Sequence, residues 1–125
     1  MERLMYAMAE HEGWEAPSPD KASTGTIAFR QNNPGNLRSS PFMLHVKNGF
    51  AVFESDMIGF AAFQYDLTQK AKGNTSTGLN GESTLRDLIY KWAPPSDNNA
   101  TENYLQSVMK MTGFTDTMKL KELLK

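Results

Sequence analysis

The first fourteen residues, MERLMYAMAEHEGW, constrain the fold most. Met1, Leu4, Met5 and Met8 recur at the spacing that sets side chains on one face of an α-helix, so this segment needs a core to cover it. Glu12 continues the apolar face, Glu10 points the opposite way, and His11 sits at the edge. Gly13 supplies a helix stop. A carboxylate on an apolar stripe is a conflict between pattern and burial, and such conflicts mark functional or strained positions. Burial and the negative end of the helix dipole both disfavour its charged form. A carboxyl group inclined to keep its proton near neutral pH suits general acid catalysis. The competing reading is a helix end that frays at Gly13 and leaves Glu12 in water.

Residues 15–31, EAPSPDKASTGTIAFRQ, read as a loop, because two prolines, a glycine and small polar residues argue against a regular element. Such a long connection is often functional or disordered. NNPGNLR follows at residues 32–38. Pro34 and Gly35 fit the two central positions of a type II turn, with Gly35 at positive φ. Asn32, Asn33, Asn36 and Arg38 crowd this turn with donors and acceptors suited to a polar ligand such as a sugar.

Over residues 41–53, Phe42, Leu44 and Val46 alternate with Met43 and His45, Lys47-Asn48-Gly49 signals a turn, and Phe50–Phe53 returns. This is a small β-hairpin. His45 reads as a solvent-face residue. Ser55 or Asp56 can cap a helix reaching about residue 70, with Met57, Ile58, Phe60, Phe63 and Leu67 on its apolar side. Gln64 falls within or beside that side, so it sits at the core edge, finds a partner or lines a cleft.

Residues 71–83 form a Gly-rich polar connection. Thr84 and Asp87 make a capping box for a helix whose Leu85, Leu88, Ile89 and Trp92 keep i, i+3, i+4, i+7 spacing. Pro94-Pro95 ends it. Asp97, Asn98, Asn99 or Thr101 can cap the next helix, which carries Tyr104, Leu105, Val108 and Met111 and closes at Gly113. A last helix is expected over about 116–125.

At 125 residues with 39% hydrophobic content, the chain is expected to form one domain with a modest core. A net charge of −1 gives no global pull toward nucleic acid or anionic membrane. The absence of cysteine excludes disulfides and thiolate metal sites, and two histidines make a His-rich site a poor expectation, so neither metal nor cofactor is anticipated. No run approaches the roughly 20 apolar residues of a membrane span. The N-terminus lacks a signal-peptide pattern, which suggests an intracellular start, export by another agent, or a domain cut from a longer protein.

Taken in order, EGW, the Pro/Ser loop, NNPGNLR, FAVFES, TLRDLIYKWAPPSDNN and NYLQSV resemble a family of bacteriophage and prophage wall-degrading proteins. That family is similar to soluble lytic transglycosylases and goose-type lysozymes. The resemblance covers about residues 6–113. It implies a mainly α, lysozyme-like domain with a small hairpin and a cleft for peptidoglycan glycan strands. Glu12 would be the catalytic acid/base. Asn33 and Asn36 would stand at the cleft, and Asp97, Asn98 and Tyr104 would form a far wall; Gln64, from its place on the helix face, is a further candidate to bind the substrate. Two features depart from the transglycosylase pattern: the Glu-Ser pair is here Glu12-Gly13, and NNPGNLR stands where Gly-Leu-Met-Gln is usual. The expected reaction is cleavage between N-acetylmuramic acid and N-acetylglucosamine, with one Glu acting as a lytic transglycosylase. The alternatives are a hydrolytic muramidase, with Glu54 or Asp97 as a second carboxylate, and a non-catalytic wall-binding virion module. A monomer is expected, in a virion beside other virion proteins or in the host cytoplasm, acting at the cell wall and binding no nucleic acid.

Overall fold

A computed structural model describes residues 1–14, 26–97 and 99–124. Most of the expected loop before the asparagine-rich turn, together with Asn98 and Lys125, therefore lies outside the described residues. The secondary structure is mainly α. In chain order it comprises α1 (Glu2–His11), α2 (Ile27–Arg30), β1 (His45–Lys47), β2 (Phe50–Val52), α3 (Asp56–Ala71), α4 (Leu85–Trp92), a 3-10 turn (Pro95–Asp97), α5 (Thr101–Thr112) and α6 (Leu120–Leu123). Among the described residues, no helix is long and apolar enough to cross a membrane. The chain packs as two compact units, one of Glu2 and Leu4–Asp66, the other of Met1, Arg3 and Leu67 onward.

In the first unit, Leu4, Met5 and Met8 are buried as their spacing predicts, and Phe29, Leu37, Ala51, Phe53 and Phe63 join them in the core. The expected loop is interrupted by α2. Thr26 caps it by accepting a hydrogen bond from the Phe29 backbone N–H (3.2 Å), and the burial of Ala28 and Phe29 rewards the extra turn. The hairpin forms where alternation places it. Asn48 and Gly49 take φ of 56° and 80°, the paired left-handed geometry of a two-residue type I′ turn. Lys47 pairs with Phe50, and Val46 with Ala51.

The asparagine-rich turn departs from expectation. Gly35 does not take positive φ; Asn32 and Asn36 do, at 54° and 51°. The turn itself forms, closed by the Asn36 N–H donating to the Asn33 carbonyl (2.9 Å). Glycine is needed at 35 for closeness instead, since a Cβ there would stand 2.8 Å from the Phe63 ring. Helix α3 approaches the same turn through Gly59, where a Cβ would fall 2.0 Å from the Asn32 carbonyl oxygen. Ser55 caps α3, its Oγ accepting the Ile58 N–H at 3.2 Å. Met57, expected on the apolar side, is 82% exposed, because the helix start overhangs the core.

In the second unit, the Thr84–Asp87 capping box forms as predicted, and Leu85, Leu88 and Ile89 are buried. Helix α4 packs against α5, whose Tyr104, Leu105 and Val108 are buried. Ala100 occupies the N-cap of α5 without a side-chain bond, so of the expected caps that are described, Asp97, Asn99 and Thr101, none starts the helix; Asn99 and Thr101 donate instead to the Pro94 and Ala93 carbonyls. Met111 is half exposed rather than buried. Gly113 closes α5 in the left-handed conformation. The last helix is shorter than expected, because residues 118 and 119 are drawn into a short extended pairing with Thr84 and Leu85.

Candidate functional site

Glu12 does not lie inside a helical turn. It is the C-cap of α1, and the EGW sequence is a Schellman turn: Gly13 N–H donates to Glu10 O (3.1 Å) and Trp14 N–H to Ala9 O (3.0 Å), with Gly13 at φ +90°. A Cβ at Gly13 would meet Thr26 Cγ2 at 2.4 Å, and Thr26 Oγ1 donates to the Gly13 carbonyl (2.8 Å). The residue that caps α2 therefore also seats the turn holding Glu12. The carboxylate is half-buried, and its Oε1 accepts a hydrogen bond from Asn36 Nδ2 at 3.2 Å. Asn36 can reach it because its own backbone bends through the left-handed region, which asparagine tolerates better than most residues.

Trp14, one step beyond, donates its indole N–H to Asp56 Oδ1 (3.1 Å) and meets the Phe60 ring edge-on at 4.9 Å. Phe60 in turn lies 5.1 Å from Tyr6. The two rings open onto a groove of about 230 Å³ between α1 and α3, which Gln64 also lines. Gln64 is exposed there, so it needs no buried partner. Glu12 and Asn36 are not among the residues that line this groove; each feature by itself, a carboxylate with an amide and a groove with rings, suits hydrogen bonding or stacking to a sugar.

Asn33 has a different task. It is wholly buried; its Nδ2 donates to the carbonyls of Leu37 (2.8 Å) and Ala51 (2.9 Å), and its Oδ1 accepts the Leu37 N–H (2.9 Å). It clamps the turn to β2 and has no amide hydrogen left for a ligand. Gln31, equally buried, reaches the carbonyls of Lys47, Phe50 and Ala51. The density of amides in this motif is thus mostly scaffold, and Asn36 alone of the two predicted asparagines turns toward Glu12.

In the second unit, Asp97 is exposed on the 3-10 turn, Tyr104 is 3% exposed and contributes to the core, and Asn98 lies outside the described residues. A buried Tyr104 offers no ring to a ligand at the surface. Glu54 is exposed. Sequence reasoning missed the Trp14–Asp56 bond, although Trp14 belongs to the EGW motif. It also missed a wider cavity of about 520 Å³ in the second unit, lined by Thr77, Ser83, Asp87, Tyr90 and Lys91 among others; nothing in the residue pattern announces it. Among the described residues, no group of three or more His, Asp or Glu side chains could hold a metal. Compared with protein-family models, curated proteins and solved structures, the chain shows no match.

Proposed function

We propose that the protein cleaves the β-1,4 bond between N-acetylmuramic acid and N-acetylglucosamine in peptidoglycan, with Glu12 as the acid/base. The observation that carries this reading is the Glu12–Asn36 hydrogen bond, which joins residues from two separate motifs around a half-buried carboxyl group. Glycosidic cleavage needs a proton on the leaving oxygen and control of an oxocarbenium-like centre. In the transglycosylase form, Glu12 gives its proton to the leaving oxygen. The muramyl C6 hydroxyl attacks the anomeric carbon, and the same carboxylate takes the hydroxyl proton, leaving an anhydro sugar. Asn36 orients the carboxyl through both proton transfers. The single-acid form is preferred to the hydrolytic one because the other candidates, Glu54 and Asp97, stand exposed rather than half-buried.

Purified peptidoglycan digested with the wild type and with Glu12→Gln tests the reading by mass spectrometry. Anhydromuramyl products from the wild type are expected, with a loss of about 10²–10⁴ in rate for the variant, the range of one acid/base group. Reducing-end products would replace the transglycosylase by a hydrolase. A wild type that releases nothing between pH 4 and 8 would end the enzymatic reading and leave a wall-binding module.

A further inference from the structure

The hairpin carries an apolar edge that the core does not use. Phe42, Leu44 and Val46 are 47%, 60% and 49% exposed. Val46 sits opposite Ala51, which is fully buried, so the inward face of the hairpin covers the core with β2 and overhangs it with β1. Phe42 meets Tyr65 edge-on at 5.2 Å, and Tyr65 is itself 43% exposed, extending the patch onto α3. Strand β1 belongs to a two-stranded sheet, and among the described residues its outer edge has no neighbouring strand.

Along the chain, charge in and before the hairpin is one-sided. Between Thr26 and Phe53 the chain has Arg30, Arg38 and Lys47 and not one Asp or Glu, although the whole protein carries a net charge of −1. Glu54, exposed in the short connection between β2 and α3, is the nearest acid in sequence. Lys47 is exposed on the opposite side of the strand from Val46, and the Arg38 guanidinium lies 4.8 Å from the centroid of the Phe50 ring, the residue paired with Lys47.

We propose that the β1 edge docks on anionic lipid bilayers. Exposed aliphatic and aromatic side chains enter the boundary between headgroups and acyl chains, while flanking Arg and Lys meet lipid phosphates. An edge-on approach seats Leu44 and Val46, and the flexible Lys47 stem lets its ammonium reach back to the headgroups. A soluble polyanion would satisfy the cations but give Leu44 and Val46 no apolar surroundings. A purely apolar protein partner would leave the acid-free stretch unexplained. The proposal does not rest on Glu12.

The test is co-sedimentation of the full chain with vesicles of phosphatidylglycerol mixed into phosphatidylcholine, against phosphatidylcholine alone, at low and high salt. Pelleting with the anionic vesicles only, weakened by salt, is expected. Each cation near a charged leaflet is worth about a fivefold gain in binding, so R38Q/K47Q should bind about 25-fold more weakly. L44S/V46S keeps the charge and should lose at least about tenfold. Both sets are exposed side chains, and circular dichroism checks their folding. The chain has no cysteine, so V46C takes a single environment-sensitive fluorophore, whose emission should shift to the blue on anionic vesicles. Absence of pelleting, equal binding to both vesicles, or full retention by L44S/V46S would each overturn the proposal, the last by showing adsorption to any polyanion. A blue shift without lipid, together with a dimer in sedimentation velocity, would assign the edge to a second copy and overturn it as well. Glu12→Gln should bind vesicles like the wild type.

Discussion

Residues 26–53 bury two amide side chains, Gln31 and Asn33, whereas residues 82–121 carry a set of ion pairs at the surface. In the first stretch, Gln31 and Asn33 are 5% and 0% exposed, and their amides bond backbone groups across the turn and the hairpin. In the second, Arg86 bridges Glu102 (2.8 Å) and Asp116 (3.0 Å), and Glu82 takes Lys119 (2.7 Å) and Lys121 (2.5 Å), all on solvated faces. A buried amide whose partners are backbone groups fixes one geometry, since losing it strands donors and acceptors away from water. Exposed ion pairs are screened and replaceable by water, and contribute little each. The positioning of Glu12 and Asn36 therefore depends on the first kind of interaction, and substitutions should separate the two kinds by size of effect.

The largest effect is expected at Gly59. A Cβ there would stand 2.0 Å from the Asn32 carbonyl oxygen and 2.8 Å from Pro34 Cδ, neither of them a flexible side-chain end. Gly59→Ala should cost about 3 kcal/mol or more in urea unfolding, the upper end of overpacking. Gly78 in the second unit is the control. Its added Cβ would meet open space, and only the φ of +84° resists it, so Gly78→Ala should cost about 1–2 kcal/mol. Equal losses would erase the contrast between a turn built by close approach and one built by conformation alone.

Asn33→Ala comes next. It would leave the carbonyls of Leu37 and Ala51 and the Leu37 N–H without their side-chain partner, at about 2–4 kcal/mol. Asn36→Ala should cost less, about 1–2 kcal/mol, because its half-buried amide serves a single side-chain partner and the remainder is the strain of alanine at a φ of 51°, yet it should lower any wall-cleaving rate. Unfolding curves and digestion rates on the same two variants read the distinction directly. If Asn36→Ala destabilised as much as Asn33→Ala, both asparagines would be scaffold.

Sequence pattern gave access to what local chemistry decides. The apolar stripe of α1, the Asn48-Gly49 turn and the Thr84–Asp87 box depend on residues within a few positions of one another, and each forms as read. It failed where distant packing chooses. Gly35 reads as a positive-φ turn residue, but the constraint on it is the Phe63 ring, 28 positions away and unseen in any local window. Asn33 and Asn36 look alike in the motif, and only β2 on one side and Glu12 on the other give them different work. The apolar alternation of Phe42, Leu44 and Val46 predicts a hairpin correctly, yet periodicity cannot tell that β1 overhangs its core.

The smallest effects belong to the outer ion pairs, and pH reveals them. The ammonium groups of Lys119 and Lys121 hold the Glu82 carboxyl down to about 2, from an ordinary 4.5, chiefly through the Lys119 hydrogen bond. The Arg86 guanidinium does the same to Glu102, also to about 2, helped by the Tyr90 hydroxyl, whose own ionisation is pushed up by that carboxylate. A carboxyl group whose folded value lies below its unfolded value stabilises above the unfolded value and loses that stabilisation as pH falls through the folded one. Between about pH 4.5 and 2, the difference in urea midpoint between the wild type and E82Q/E102Q should therefore shrink. The charges are solvated, so raising the salt should flatten that difference even at neutral pH. A difference that persists undiminished at high salt would mean that these pairs act as a rigid network rather than as screened surface contacts, and the contrast with the buried amides would then be one of degree.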